Sequence, residues 1–450
     1  MRTIFITSFH GLVSRVLQSG LLDLLKKDEE LRIVILVPDF KKDYFIKNFS
    51  DKSIIIESVS EKELSKKSLF FHKISFFLLN TKSMKIIRRS YRDYTNYPRF
   101  LLTQSTAVIL GRWKLIRNLF RQINYYFSGK PIFKDLFEKY KPELIFSMDV
   151  KHPFDTELLI EARKRKIFTI AMVRSWDYLT AKGITRVMPH KMIVHNEIIK
   201  NEAIKYADMN PENIEVIGMP HFDPYINYLR SEKKEFFKKI KGDSDKPLIL
   251  WAPLGDKFSD LDSQFFEILC EAIKKEELPK DLQVLVRVPP GDTLNLHGLK
   301  PCPNLIFDYP GSGFEGMHRK ANEMSLVDLL HLADSLFYSS LVVTCASTIC
   351  IDATVFDKPI IYLGFDAKEK RDYYESIINH YDYDHTRNIL KTNGVEIAIS
   401  KQDLIKLINK YLKNPELKRE ERKIIVKEQC WKFDGQASQR LADYILSFLK

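Results

Sequence analysis

The chain has little with which to fix a fold or a chemistry covalently. Its five cysteines, at 270, 302, 345, 350 and 430, form no C-x-x-C pair and no zinc spacing. Three stand in apolar or helix-like runs, where buried thiols are the default. A reducing compartment is therefore expected. No apolar stretch reaches the length of a transmembrane helix, and Met1 to Thr7 leads straight into a strand pattern, so no secretory signal is expected. The glycine fingerprint G-x-G-x-x-G is missing, which argues against NAD or FAD. Solenoid repeats and low-complexity tracts are missing too. Acid is scarce in one long stretch: Lys66 to Lys130 holds 14 lysines and arginines against a single acid, Asp93.

The 450 residues, 45% hydrophobic and 29% charged, suit a globular protein of two domains. The rest of the chain is about neutral, since the whole net charge of +12 lies in the acid-poor stretch, which carries +13. Its cations are interleaved with Phe70, Phe71, Phe76, Phe77, Tyr91, Tyr94, Tyr97, Phe100, Trp113, Phe120 and Tyr125-Tyr-Phe127. Such a mixture suits an anionic membrane surface or a lipid-linked acceptor. Nucleic acid would answer the same charges, and a helical core with a solvated basic face is the plainest alternative. The membrane is the expected partner, and nucleic acid is not.

Apolar runs at Thr3–Thr7, Leu31–Val37 and Ile54–Glu57, with an amphipathic helix between the first two, make a Rossmann-like opening. The sheet resumes at Pro142 to Asp149, and strand and helix patterns alternate to Ile217. A charged stretch, Arg230 to Asp245, separates this half from a second one that begins at Pro247-Leu-Ile-Leu-Trp-Ala-Pro253. Late in the second half, Leu341 to Thr344 reads as a buried strand, Cys345 to Thr348 as a turn of small residues, and the next residues as a helix to about Phe356. A new strand follows at Ile360 to Leu363. In doubly wound sheets ligands sit at strand C-termini beside helix N-termini. Ser347 and Thr348 stand where backbone N–H groups and a helix dipole favour phosphate. Asp352, one turn on, is placed for a ribose or sugar diol. The plainer reading is a helix cap with a solvated aspartate.

Ala346-Ser-Thr-x-x-x-Asp352 with Lys358-Pro-Ile-Ile361 resembles the nucleotide-diphosphate loop of GT-B glycosyltransferases. It is closest to the branch of CDP-glycerol glycerophosphotransferases and related capsule and surface-polymer transferases. Four further strings carry the same resemblance: Ser175-Trp-Asp-x-Leu-Thr-x-Lys-Gly183, Gly218-x-Pro-x-x-Asp223, Arg287-Val-Pro-Pro290, and Asp434-Gly-x-Ala-Ser-x-Arg440. In the third, Pro289 replaces the histidine usual in the relatives. The resemblance implies two Rossmann-like domains facing each other across a cleft, with the C-terminal helix crossing back to the first. The expected division is 1–228 with a helical insertion at about 66–130, a linker at 229–242, a nucleotide domain at 243–425, and the returning helix at 426–450.

Transfer from a nucleotide donor needs a stabilised leaving group, a base for the acceptor hydroxyl and a site that orients both. Ser347, Thr348 and Arg287 are expected at the donor phosphates, and Asp352 and His221 at its ribose or sugar. Trp176 and Asp177 are expected on the acceptor side. His10, in the first strand-to-helix loop, is the first candidate base, with Asp149 second and His152 third. Asp260 and Asp262 form a D-x-D, but in a polar loop where capping fits better than metal binding, so neither metal nor other cofactor is expected. The leading expectation is a glycosyltransferase using a nucleotide-mono- or diphosphate sugar and a glycan or lipid-linked acceptor, peripheral on the inner face of the cytoplasmic membrane. A CDP-polyol phosphotransferase for a surface polymer is the second reading. A UDP-sugar 2-epimerase is the third.

Overall fold

The structure is a computed structural model and describes residues 1–90, 97–129, 131–256, 259–296, 298–300, 302–314 and 321–449. Tyr91, Asp93, Tyr94 and Lys130 of the basic stretch lie outside the described residues. The chain forms two units, Met1–Asp223 with Asp434–Lys450, and Pro224–Phe433.

The first unit is built on seven parallel strands: β1 Arg2–Thr7, β2 Leu31–Pro38, β3 Ile54–Val59, β4 Leu144–Ser147, β5 Phe168–Met172, β6 Lys191–Val194 and β7 Ile214–Val216. Their order is β3-β2-β1-β4-β5-β6-β7. The second unit has six: β8 Leu248–Ala252, β9 Gln283–Arg287, β10 Leu305–Asp308, β11 Val342–Thr344, β12 Ile360–Leu363 and β13 Glu396–Ala398. Their order is β10-β9-β8-β11-β12-β13, again parallel throughout. Strands covered on both faces read as continuous apolar runs. β8, Leu-Ile-Leu-Trp-Ala, is buried at every position. In each sheet the winding reverses once, between β1 and β4 and between β8 and β11. In open α/β sheets the binding crevice opens at such a switch point.

The two sheets are the expected α/β architecture, and the last helix, Ala437–Leu446, belongs to the first unit. Its Leu441, Ala442 and Ile445 join the core beneath Ile4, Ile6 and Ile33. Two of the motifs meet there. Asp223 accepts from the N–H groups of Ala437 (3.1 Å) and Ser438 (2.6 Å), capping the helix. Arg440 donates to the Ile217 carbonyl (2.9 Å) and pairs with Asp434 (2.8 Å).

Three expectations need correction. Residues 229–242 are no open linker: Lys233–Lys239 is a helix whose Phe236 and Phe237 are buried, with Phe236 stacked on Tyr338 at 5.0 Å. The two phenylalanines overrule the lysines around them, and the second unit begins at Pro224. Residues 426–433 stay in the second unit, because the Arg419–Cys430 helix packs with Ile349–Val355. Cys270 and Cys302 are joined in a disulfide, with Cα atoms 6.1 Å apart. A separation of 32 residues carries no motif, so the pair is invisible until the fold brings it together.

Among the described residues the basic stretch forms four helices, Lys66–Phe77, Lys82–Ser90, Tyr97–Ile109 and Lys114–Phe127. The first, second and fourth, with the turn at Leu78-Leu79, share a small core of Phe71, Leu78, Leu79, Met84 and Phe120 with Ile184. This subdomain is latched to the loop after β5: the Ile184 N–H donates to the Ser75 carbonyl (3.0 Å) and Thr81 Oγ1 to the Thr180 carbonyl. Gly183 has φ +73°, and a Cβ there would lie 2.6 Å from Ser75 Oγ. Glycine at the end of the Ser175–Gly183 motif is thereby required.

Candidate active site

At the first switch point the C-terminal ends of β1, β4 and β5 bring together His10, Asp149 and Arg174. The buried Asp149 is the anchor. Its Oδ1 accepts from the N–H groups of Lys151 and His152, both 3.0 Å, and from the Tyr178 hydroxyl. Its Oδ2 pairs with Arg174 Nε at 3.2 Å. Burial alone would raise its pKa, but Arg174, the two histidines and the Tyr178 hydroxyl outweigh that and hold it below the usual carboxylate value. An anion with this many donors is poorly suited to accept a proton. It orients the loops around it instead.

His10 Nδ1 lies 3.0 Å from Arg174 Nη1 and 2.8 Å from the Gly11 carbonyl oxygen. Burial, and after it the Arg174 charge, lower its pKa to about 3, so the ring is neutral at pH 7. When Nδ1–H donates to the Gly11 carbonyl, Nε2 carries the lone pair a base needs. His152 stacks on Phe9 (6.0 Å) and is lowered by burial to about 4. Beneath it Asp155 accepts from Thr7 Oγ1 and from Ser147 Oγ (2.7 Å). Burial, then the nearby Asp149, raise its pKa, which fits a protonated, structural carboxyl.

Sequence reasoning passed over Lys151, Arg174 and Tyr178. The Lys151 ammonium is buried and donates to the carbonyls of Tyr178 (2.7 Å) and Gly183 (2.6 Å). Burial lowers its pKa to about 7. It ties the loop after β4 to the loop after β5. The available signal was a charged residue in the loop after each strand: Lys151 in the loop after β4, Arg174 in the loop after β5.

Two other expectations change in this unit. Trp176 is packed between His195 (5.5 Å) and Phe222 (6.1 Å) and is only 7% exposed, so its ring fills core and offers little to an acceptor. His221 is buried edge-on to Phe222, and burial lowers its pKa well below the ordinary value. Asp177 pairs with Lys182 at 3.3 Å and keeps partial exposure.

At the second switch point the loop after β8 faces the turn after β11. Asp262 accepts from the N–H groups of Leu254 (3.2 Å) and Gly255 (2.8 Å), closing the β8 loop. Burial raises its pKa to about 6. Asp260 pairs with Arg371 at 2.7 Å, so both members of the D-x-D have protein partners. Ser347 and Thr348 are half-buried, ahead of the short helix Ile349–Val355. Asp352, within that helix, accepts from the Tyr225 hydroxyl through Oδ1 at 2.7 Å. Arg287 is committed elsewhere: it pairs with Asp308 and donates to the Asp328 carbonyl (3.0 Å). A groove of about 600 Å3 along the edge strand β10 is lined by Asp308, Asp328 and His331, and Ser347, Thr348 and Asp352 are not part of it.

A family model described as CDP-glycerol:poly(glycerophosphate) glycerophosphotransferase matches residues 172–447, more than half of the chain. The chain belongs to that family. It is therefore a nucleotide-activated transferase of the glycerophosphotransferase family, and the matched span includes Arg174, Ser347, Thr348 and Asp352. The fold is similar to UDP-GlcNAc 2-epimerase from Neisseria meningitidis bound to UDP-GlcNAc, with a TM-score of 0.57, 12% identity, and coverage of 99% of this chain and 100% of that one. UDP-GlcNAc 2-epimerase from Methanocaldococcus jannaschii gives 0.55, 12%, 99% and 100%. The wall teichoic acid polymerase TagF gives 0.53, 14%, 99% and 88%. Identities this low establish the GT-B fold and nothing finer. No curated protein matches the sequence.

Proposed function

We propose that this glycerophosphotransferase-family chain transfers a polyol phosphate from a CDP-linked donor to a growing surface polymer. The observation that carries the reading is the unlike chemistry of the two switch points, within a chain whose family match covers residues 172–447. The second unit takes the nucleotide: amides and hydroxyls of the Ser347-Thr348 turn meet the diphosphate, and Asp352 meets the ribose. Arg287, held by Asp308, contributes field rather than direct contact. The first unit supplies the base. His10 Nε2 removes the proton from the acceptor hydroxyl as its oxygen bonds to the donor's β-phosphorus. The phosphoanhydride bond breaks and CMP leaves with the electron pair. The imidazolium so formed is opposed by burial and by Arg174 and helped in smaller part by the Asp149 charge. Asp177 is the remaining acceptor-side group.

The transfer needs no metal in this reading, and the D-x-D in the loop after β8 is spent on Arg371 and on loop amides. The enzyme works at the inner face of the cytoplasmic membrane, with the basic subdomain toward anionic lipid and the acceptor lipid-linked.

Pro289 favours one second reading. Where relatives carry histidine this chain has none, which suits a glycosyl transfer in which the hydroxyl attacks the anomeric carbon and a nucleoside diphosphate leaves. Thermal-shift titration with CMP, CDP, UDP, GDP and dTDP separates the two. Stabilisation by CMP and CDP above the others supports the polyol-phosphate reading, and preference for another base overturns it.

A further inference from the structure

Away from the first switch point, the same unit holds a hollow of about 260 Å3 whose charged lining, among the described residues, is all arginine. The helix Lys114–Phe127 gives it one face: Asn118, Arg121, Gln122 and Tyr125 recur at i, i+3, i+4 and i+7. Arg163, in the last turn of the helix Pro153–Lys164, and Arg186, in the loop before β6, close it. Arg121 is committed to Asp208 (2.8 Å) and to the carbonyls of Thr185 (2.9 Å) and Ala207 (3.0 Å). Arg163 is exposed and lies over the Tyr125 ring at 5.2 Å. Arg186 differs from both. It is 2% exposed, and its Nη1 donates to the Ser68 carbonyl (3.1 Å) and to Asn124 Oδ1 (3.4 Å). Its Nε and Nη2 are shut off from water and meet no acceptor among the described residues. Glu157 acts on it only through space: Glu157 Oε1 is itself unpartnered, and burial raises the Glu157 pKa. A buried guanidinium with two unmet donors is costly unless an anion completes it. A second hollow of about 420 Å3 shares Arg163 and continues to Lys191, again with no carboxylate in its lining among the described residues. Arg163 and Lys191 stand at the N-terminal ends of β5 and β6, whereas His10, Asp149 and Arg174 stand at the C-terminal end of the same sheet. β5 has five residues, a length that spans on the order of 15 Å. A ligand held here is therefore remote from the reacting atoms.

We propose that these two hollows bind phosphates of the acceptor chain behind its reacting end, an inference that rests on the polymer-transfer reading above. The smaller hollow falls below the roughly 300–1,000 Å3 of pockets that enclose drug-sized ligands, so it suits one phosphate with a short polyol rather than a whole nucleotide. Arg121, Arg163 and Arg186 supply the charge. The free Nε and Nη2 of Arg186 form the fork that meets two oxygens of one phosphate. Asn118 and Gln122 add neutral donors beside it. Two cationic hollows in series suit an anion that repeats. A chain of phosphodiesters repeats, and a single free phosphate does not.

Acceptors of two lengths test this, a long and a short oligo(glycerol phosphate), given to the full chain with CDP-glycerol and read as CMP release. Wild type should show the lower KM for the long acceptor. Arg163→Gln, at an exposed position, should raise that KM roughly tenfold. Its kcat, its KM for the short acceptor, its KM for CDP-glycerol and its melting temperature should match wild type, which a folding defect would not allow. Arg186→Lys keeps the charge and loses the fork, and should shift the same KM in the same direction. Calorimetric titration with the long oligomer, without donor, should show a similar loss of affinity in Arg163→Gln. Equal KM for the two lengths in wild type, or an unchanged KM for the long acceptor in Arg163→Gln, overturns the subsite and leaves the transferase reading standing. Inorganic phosphate that binds as tightly as the long oligomer makes the occupant a free phosphate and overturns it too. Oligomer binding that Arg163→Gln weakens, in a chain that releases no CMP from CDP-glycerol, supports the subsite and fails the transferase reading instead.

Discussion

The two switch points share one topology and differ in substance. After β1, β4 and β5 the chain places ionisable groups: a buried carboxylate, a guanidinium, two neutral histidines and a buried lysine. After β8 and β11 it places small hydroxyls, amides and a loop closed by Asp262. A network of charges taken out of water is costly unless each is paired, so the first site is a rigid, pre-set electrostatic device. The second has Asp256, Asp262 and Asp292 gathered at the β8 loop, so an anionic ligand there would have to be met by the amides and hydroxyls of the turn after β11. A parallel sheet thus fixes where a site stands, and the loop after each strand decides what it can do.

That contrast can be broken, beginning with the largest effect. His10→Ala should cut turnover by about 10²–10⁴-fold with nucleotide affinity near wild type. Unchanged turnover in a steady-state assay would place the base elsewhere. Asp149→Ala should act on folding first, costing about 3–5 kcal/mol by leaving Arg174 buried beside no carboxylate. Ser347→Ala, half-buried at the other site, should stay within about 0.5 kcal/mol of wild type. Equal denaturation midpoints for the two variants would erase the proposed difference. Asp352→Ala should weaken nucleotide binding by about tenfold without unfolding the chain, read by calorimetry. Tyr225→Phe, which keeps the carboxylate and removes its donor, should cost less.

The smallest expected effect is on pH dependence. His10 and His152 are held near 3 and 4, chiefly by burial, against an ordinary value of 6.5. Below pH 6.5 the unfolded chain takes up protons that the folded chain refuses. Stability is therefore full at neutral pH and is lost as pH falls toward 4. The double variant His10→Gln/His152→Gln should show a shallower loss in melting temperature over that window. A curve as steep as that of wild type would mean that neither ring is buried neutral.

Much of the architecture was legible because parallel strands buried on both faces write themselves as apolar runs, such as Leu31-Arg-Ile-Val-Ile-Leu-Val-Pro38. Single positions were harder. The Gly218–Asp223 and Asp434–Arg440 strings are recognisable separately, but only the fold makes Asp223 the cap of the last helix. Trp176 and Asp177 are neighbours in one motif, yet one fills core and the other meets solvent. The linker misled because Lys233-Lys-Glu-Phe-Phe-Lys-Lys239 looks soluble until its two rings find Tyr338. In the basic subdomain exposure was legible only in part: Lys66, Lys67, Lys73, Lys85, Arg99, Arg112 and Lys114 are exposed. Composition suggests outward cations, whereas Arg88, Arg117 and Arg121 turn inward to carbonyls and to Asp208 and leave leucines outside. Charge counts carry no direction, and an outward apolar stripe has the same periodicity as an inward one.

The central claim is that proton transfer belongs to the first unit and the nucleotide to the second. The most direct measurement is nucleotide release followed by mass spectrometry, with CDP-glycerol and an oligo(glycerol phosphate) acceptor, for wild type, His10→Ala and Asp352→Ala. The account predicts acceptor-dependent CMP from wild type. It predicts an undiminished KM with collapsed turnover in His10→Ala, and a raised KM with turnover largely kept at saturation in Asp352→Ala. Wild type that yields no CMP but releases UDP from a UDP-sugar, or both variants losing turnover and affinity alike, would contradict it.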